Sequence, residues 1–137
     1  MGSGKGQVSC NDWLVLAVAH QFLDLPTQTQ ADIADVIADL KGVDVIAVEE
    51  RLKRDNPELR VARVPIPYIQ VDTEYRVNLH NVMDYAKLPE VKSPPIIMAG
   101  PKLHDGGHRI LAALIRGEGQ IRRVNIAPLL EWDWSAG

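Results

Sequence analysis

Cysteine is almost absent from this 137-residue chain. Cys10 stands alone, so no internal disulfide can form and no cysteine-rich zinc site exists. Long apolar runs are missing too. The most hydrophobic stretch, WLVLAVAHQFLDL, is about a dozen residues and contains His20, which is too short for a membrane span. The opening residues lack the basic lead-in and small-residue cleavage site of a signal peptide, so a cytoplasmic protein without a membrane is the expectation. An excess of positive charge is also lacking. The formal net charge is −3, which argues against binding nucleic acid by overall charge and leaves room only for a local basic patch. What is present suffices for a core: 46% of residues are hydrophobic and 24% charged, in a length typical of one domain. The start, MGSGKGQ, resembles the end of a phosphate-binding P-loop, but the earlier Gly and the Ser or Thr after Lys5 are missing. Residues 1–8 read as a flexible N-terminus.

Residues 9–58 read as a helical segment. Ser9 or Asn11 is placed to cap a helix running to about Leu23, apolar on nearly every face and ended by Pro26. After TQTQ, Ile33, Val36, Ile37 and Leu40 recur at helical spacing until Gly42. Asp44 then caps a third helix from Val45 to about Arg54, closed by Asn56-Pro57. Three short helices with a glycine turn suggest a helix-turn-helix with LRVARVPI as its wing. DNA recognition wants a basic outer face on the third helix, and Glu49, Glu50, Arg51, Lys53 and Arg54 are mixed in sign. A DNA-binding or regulatory protein using these helices is therefore the second reading.

Residues 59–137 read as α/β. Pro65 and Pro67 interrupt a strand-like run from Val61 to Val71, which should lie at an edge or carry a bend. LHNVMDYAK reads as a short helix. Pro94-Pro95 leads into a buried strand, IIMA, followed by a hairpin through AGP into KLH. DGG precedes a helix from His108 to about Ile115. IRRVNI is the last strand, and Trp132 and Trp134 should cover core edges.

The stretch HDGGHR, His104 to Arg109, concentrates chemistry at the junction of strand and helix. Backbone N–H groups are free where a helix begins, and the helix dipole adds positive charge there. Glycine lets an anion come close, Arg109 offers a planar fork, and His108 adds a donor whose charge follows pH. The alternative is a tight turn, with Asp105 capping the helix and Arg109 paired to a surface acid. His104 with His108 could also form a metal or nuclease site, although lone histidines are more often structural. His80 could join the same cleft or lie on a helix surface. Arg116, Arg122 and Arg123 could extend the positive charge toward a polynucleotide or simply be solvated.

The order of elements in PPIIMAGPKLHDGGHRILAALIRGEGQIRRVNI resembles the core of the ParB/sulfiredoxin superfamily. Gly106, Arg109 and Ala112 match its GxxRxxA pattern, and Asp105, Gly106, His108 and Arg109 match the DGxHR variant. VPIPYIQVDTEYR resembles the opening strand and the loop ending in an Arg, here Arg76. The likeness covers roughly residues 61 to 127 and implies a small mixed sheet with helices, preceded here by the helical segment. It also implies nucleotide-phosphate binding at the DGGHR turn. Gly107 stands where sulfiredoxin carries a Cys, which argues against sulfinic-acid reduction. The superfamily's free-serine kinases keep a His there. The partition proteins continue into further DNA-binding helices, whereas this sequence stops within about ten residues of the last strand.

For phosphotransfer or hydrolysis, the resemblance implies that the N–H groups of Gly106, Gly107 and His108 hold phosphates while Arg109 and Arg76 neutralise charge. Asp105, His108, or an acid of the Asp72/Glu74 pair would serve as base or magnesium ligand. The implied cofactors are a nucleoside triphosphate, ATP or CTP, and magnesium. A ParB-like nuclease is a further alternative.

Overall fold

The computed structural model describes residues 17–71 and 94–135. Five strands and four helices follow one another among them: β1 (Val18–Gln21), α1 (Thr27–Lys41), α2 (Val45–Asp55), β2 (Glu58–Pro65), β3 (Ile96–Ala99), β4 (Lys102–Asp105), α3 (Gly107–Ile115), β5 (Gln120–Asn125) and α4 (Ala127–Leu130). The strands form one sheet in the order β1-β2-β5-β3-β4. Its pairs are antiparallel except for β3 against β5, so the sheet is mixed and the chain is α+β.

Alternation along the strands decides what covers each face. Leu59 on β2, Ile97 on β3 and Val124 on β5 point to one side. There they meet Ile33 and Ile37 of α1, Val48 and Leu52 of α2, Leu129 of α4, and Trp134. Val64, Ile96, Met98 and Ile121 point to the other side and meet Leu103 of β4 with Ile110 and Ala113 of α3. Among the described residues, the larger core thus lies under three helices and the smaller one under α3. The division at residues 58 and 59 falls at the entry of β2 and does not separate two cores, because Phe22, Ile33 and Leu52 pack with Ile97, Val124 and Ile126.

The helix expected to run to Leu23 is corrected within the described residues. Residues 18–21 form an edge strand paired with β2, with Val18 opposite Val61, and Phe22–Asp24 make a single 3-10 turn. A continuous apolar run suits a buried helix or a strand equally well, and here the pairing with β2 decides. The expected helix-turn-helix trio is therefore not formed by the described residues. Its supposed wing is β2, an interior strand bonded to both β1 and β5.

Other expectations hold closely. TQTQ is the first turn of α1 rather than its lead-in, and Gly42 ends that helix at φ 64°. Asp44 caps α2 by accepting from Ala47 N at 3.0 Å, and Asn56 closes it in the left-handed region. Of the two options for Pro65 and Pro67, the bend is realised. Pro65 is the last residue of β2 and Pro67 lies in the 3-10 turn Ile66–Tyr68. The β3–β4 hairpin, α3 and β5 lie where the sequence places them. Trp134 is buried, and its Nε1 donates to Leu129 O at 2.8 Å. Residues 1–8, the region around Ser9 and Asn11, and LHNVMDYAK lie outside the described residues.

Candidate functional site at the strand-to-helix turn

Asp105 to Arg109 carry the chain from β4 into α3. Gly106 is the N-cap residue, at φ 117° and ψ 21°, and no side chain caps the helix. Glycine is required here for two reasons. A Cβ would sit 2.5 Å from Cγ2 and 2.9 Å from Cβ of Ile96, and the backbone occupies a region that L side chains rarely adopt. The turn is thereby pressed onto β3. The first turn of α3 holds no acidic residue, so the positive end of the helix is not offset from within.

Arg109 points inward rather than toward an incoming ligand. It is 4% exposed. Its Nη1 donates to the carbonyl of Pro95 at 2.7 Å and of Pro94 at 3.2 Å, where the chain enters β3. Its Nη2 donates to Asp105 Oδ2 at 3.1 Å and lies 3.8 Å from Asp32 Oδ2 on α1. One guanidinium therefore ties together four parts of the fold: α3, the end of β4, the entry to β3, and α1. The planar fork expected to grip phosphate serves as an internal brace. Asp105 does not cap the helix; it is the brace's partner and remains partly exposed.

Asp32 was not marked by the sequence. It occupies a polar position between the apolar residues of α1, and nothing local distinguishes it from Asp35 or Asp39. Only the fold brings it to Arg109. Gln28 donates to its Oδ1 at 2.9 Å. Burial pushes its carboxyl above the ordinary carboxylate range, and the charges of Asp105 and Asp35 push the same way. The Gln28 hydrogen bond and the Arg109 charge oppose them. On β4, burial and then the Lys102 charge push His104 below its ordinary value, which keeps its imidazole neutral at neutral pH.

The remaining expected residues divide. Gly107 and His108 form the first turn of α3 beside Gly106, Gly107 buried and His108 half-buried. Asp72, Glu74, Arg76 and His80 lie outside the described residues. Arg116 ends α3 and pairs with Glu118 at 3.0 Å; that hydrogen bond holds the Glu118 carboxyl below its ordinary value. Arg122 and Arg123 alternate across β5 to opposite faces. Arg123 is buried, donates to Gly100 O at 2.6 Å, and sits 5.8 Å from the Tyr68 ring centroid. These three arginines do not form one continuous patch with Arg109. Among the described residues, no group of three or more His, Cys, Asp or Glu side chains is placed to hold a metal ion, and no helix is long and apolar enough to cross a membrane.

No protein-family model, curated protein or solved structure matches this chain.

Proposed function

We propose that this protein is a ParB/sulfiredoxin-like binder of nucleotide phosphates, with the anion held where β4 turns into α3. The observation that carries the reading is the opening of α3: a left-handed glycine, no side-chain cap, and no acid in the first turn. Such an end turns the partial positive charge of the helix toward phosphate oxygens. The match of Asp105, Gly106, His108, Arg109 and Ala112 to DGxHR and GxxRxxA points to the same turn. The contacts of Arg109 refine the assignment of roles. Gly107 and His108 would touch the phosphate, while Arg109 would hold the turn in shape. Asp105 already bonds Arg109, so magnesium would arrive with the nucleotide and be held mainly by phosphate oxygens and water. Phosphotransfer or hydrolysis would need a further base, for which Asp72 and Glu74 remain the sequence candidates.

Titration with ATP, CTP and GTP, with and without magnesium, tests this reading. His108→Glu puts a carboxylate on the first turn of α3 at a half-buried position and should weaken binding at least tenfold, with the unfolding midpoint measured alongside to confirm that the variant is folded. Failure of every nucleotide to bind, or binding indifferent to His108→Glu, removes the proposal. Salt-sensitive DNA binding that survives His108→Glu but is lost on reversing Lys53 and Arg54 would favour the regulatory reading instead.

A further inference from the structure

A cleft follows the outer side of α2, where the C-terminal tail lies against that helix. It encloses about 480 Å³, inside the span of about 300–1,000 Å³ usual for small-molecule sites. Because α2 and α3 cover opposite faces of the sheet, this cleft is separate from the strand-to-helix turn. Val43, Ala47 and Trp134 supply its apolar wall. The tail side is fixed before any ligand arrives. Trp134 is buried and anchored through Nε1 to Leu129 O at 2.8 Å. Arg51 lies 4.8 Å from its ring centroid and donates through Nη1 to Asp133 O at 2.7 Å.

The charges along the cleft are unequally engaged. Asp133 Oδ1 accepts from Ser135 N at 3.1 Å and from Ser135 Oγ at 2.7 Å. Asp55 is shared by Arg51 at 3.6 Å and Arg54 at 3.2 Å. Glu50 also lines the cleft and has no ion pair or side-chain hydrogen bond among the described residues. Arg54 stands at i, i+4 from Glu50, a spacing of about 5–6 Å between Cβ atoms at which helical Glu and Arg ordinarily pair. Arg54 turns to Asp55 instead, with 71% of its side chain exposed. The cleft thus presents one unmatched carboxylate and, a turn further on, two guanidiniums that share a single carboxylate.

We propose that this cleft binds a small zwitterion with an apolar body, a free α-amino acid of the leucine or phenylalanine kind. Its ammonium meets Glu50, and its carboxylate meets Arg51 and Arg54, whose planar forks suit two carboxylate oxygens. Its side chain lies against Val43, Ala47 and Trp134, where loss of water from apolar surface favours binding. An acidic side chain is disfavoured, because Glu50, Asp55 and Asp133 outnumber the two arginines along the cleft.

Calorimetric titration tests the proposal, with the Trp134 indole N–H followed by NMR to place the ligand. The ligands are leucine, phenylalanine, aspartate, 4-methylpentanoate (leucine without its ammonium) and leucinamide (leucine without its carboxylate). The proteins are wild type, Glu50→Gln, Arg54→Gln and Lys53→Gln; Lys53 is exposed on the same helix and does not line the cleft. Leucine and phenylalanine should bind and shift the Trp134 signal, and the other three ligands should bind at least tenfold more weakly. Glu50→Gln should weaken leucine by about fivefold to tenfold and shrink its advantage over 4-methylpentanoate. Arg54→Gln should weaken leucine to a similar degree and shrink its advantage over leucinamide. Lys53→Gln should change neither. Absence of binding by both amino acids overturns the proposal, and so does a Lys53→Gln effect equal to that of Glu50→Gln. Leucinamide binding as tightly as leucine would mark a site for cations and overturn it too.

Discussion

Arg51 and Arg109 both draw a guanidinium out of water, and they do so with opposite chemistry. Arg51, on α2, lies 4.7 Å from the ring centroid of Trp132 and 4.8 Å from that of Trp134, and it donates to Asp133 O at 2.7 Å. Its carboxylate partner, Asp55, is 3.6 Å away, and nearly a third of its side chain remains exposed, at 29%. Arg109 is held by carboxylates and carbonyls in a site that is 5% exposed. Arg51 fastens a C-terminal tail onto a core already closed by Phe22, Ile33, Leu52 and Leu129. Arg109 fastens α3, which covers the smaller core. Cation–π contact near the surface is modest in energy and easily replaced by water, whereas a buried charge network fails when one member is removed.

The largest effect should come from breaking the second arrangement. Arg109→Ala leaves Asp32, Asp105 and two carbonyls without their shared donor and should lower stability by about 3 kcal/mol or more in urea unfolding. Arg109→Lys restores the charge but not the fork, so it should recover only part of that loss. An Arg109→Ala protein as stable as wild type would show that the brace is dispensable. In that case Arg109 would be available for phosphate after all.

Next in size is Gly106→Ala. The added methyl meets Ile96 at 2.5 Å, and the backbone stays at φ 117°. Overpacking and left-handed strain together should cost about 2–4 kcal/mol. In an Ile96→Ala background, which removes the Cγ2 contact and leaves the φ strain in place, Gly106→Ala should still cost much of that amount. A negligible cost there would mean that contact rather than backbone conformation makes glycine necessary.

Much of this architecture was legible in the sequence, for local reasons. Asp44, Gly42 and Asn56 mark helix ends by hydrogen bonding and left-handed conformations that depend on neighbours only. Gly106-Gly107 after the short strand KLHD marks a turn in the same way. Two things were not legible. WLVLAVAHQFLDL has no periodicity that separates a helix from a strand, and β1 exists because β2 is there to pair with it. The contact of Asp32 with Arg109 joins two helices that cover opposite faces of one sheet, a relation that no local pattern encodes. For the same reason the sequence did not show that Arg109 turns inward. Arginine beside glycines at a helix start fits phosphate chemistry, yet it pairs with Asp105 of the same stretch and with Asp32, which comes from elsewhere in the chain.

The smallest effect should follow removal of Arg51. Its contacts comprise two aromatic faces stacked 5.5 Å apart, one carbonyl, and an ion pair that is partly solvated. Trp134 keeps its own anchor, the Nε1 bond to Leu129 O, when the guanidinium is gone. Arg51→Ala should therefore cost about 1 kcal/mol, and Arg51→Lys less, because ammonium also lies favourably over an indole face. The indole emission of the tail should shift to longer wavelength in Arg51→Ala as water reaches the ring faces that Arg51 covers. A stability loss as large as that of Arg109→Ala would mean that the tail belongs to the cooperative core, and the contrast between the two arginines would then be one of chemistry only, not of consequence.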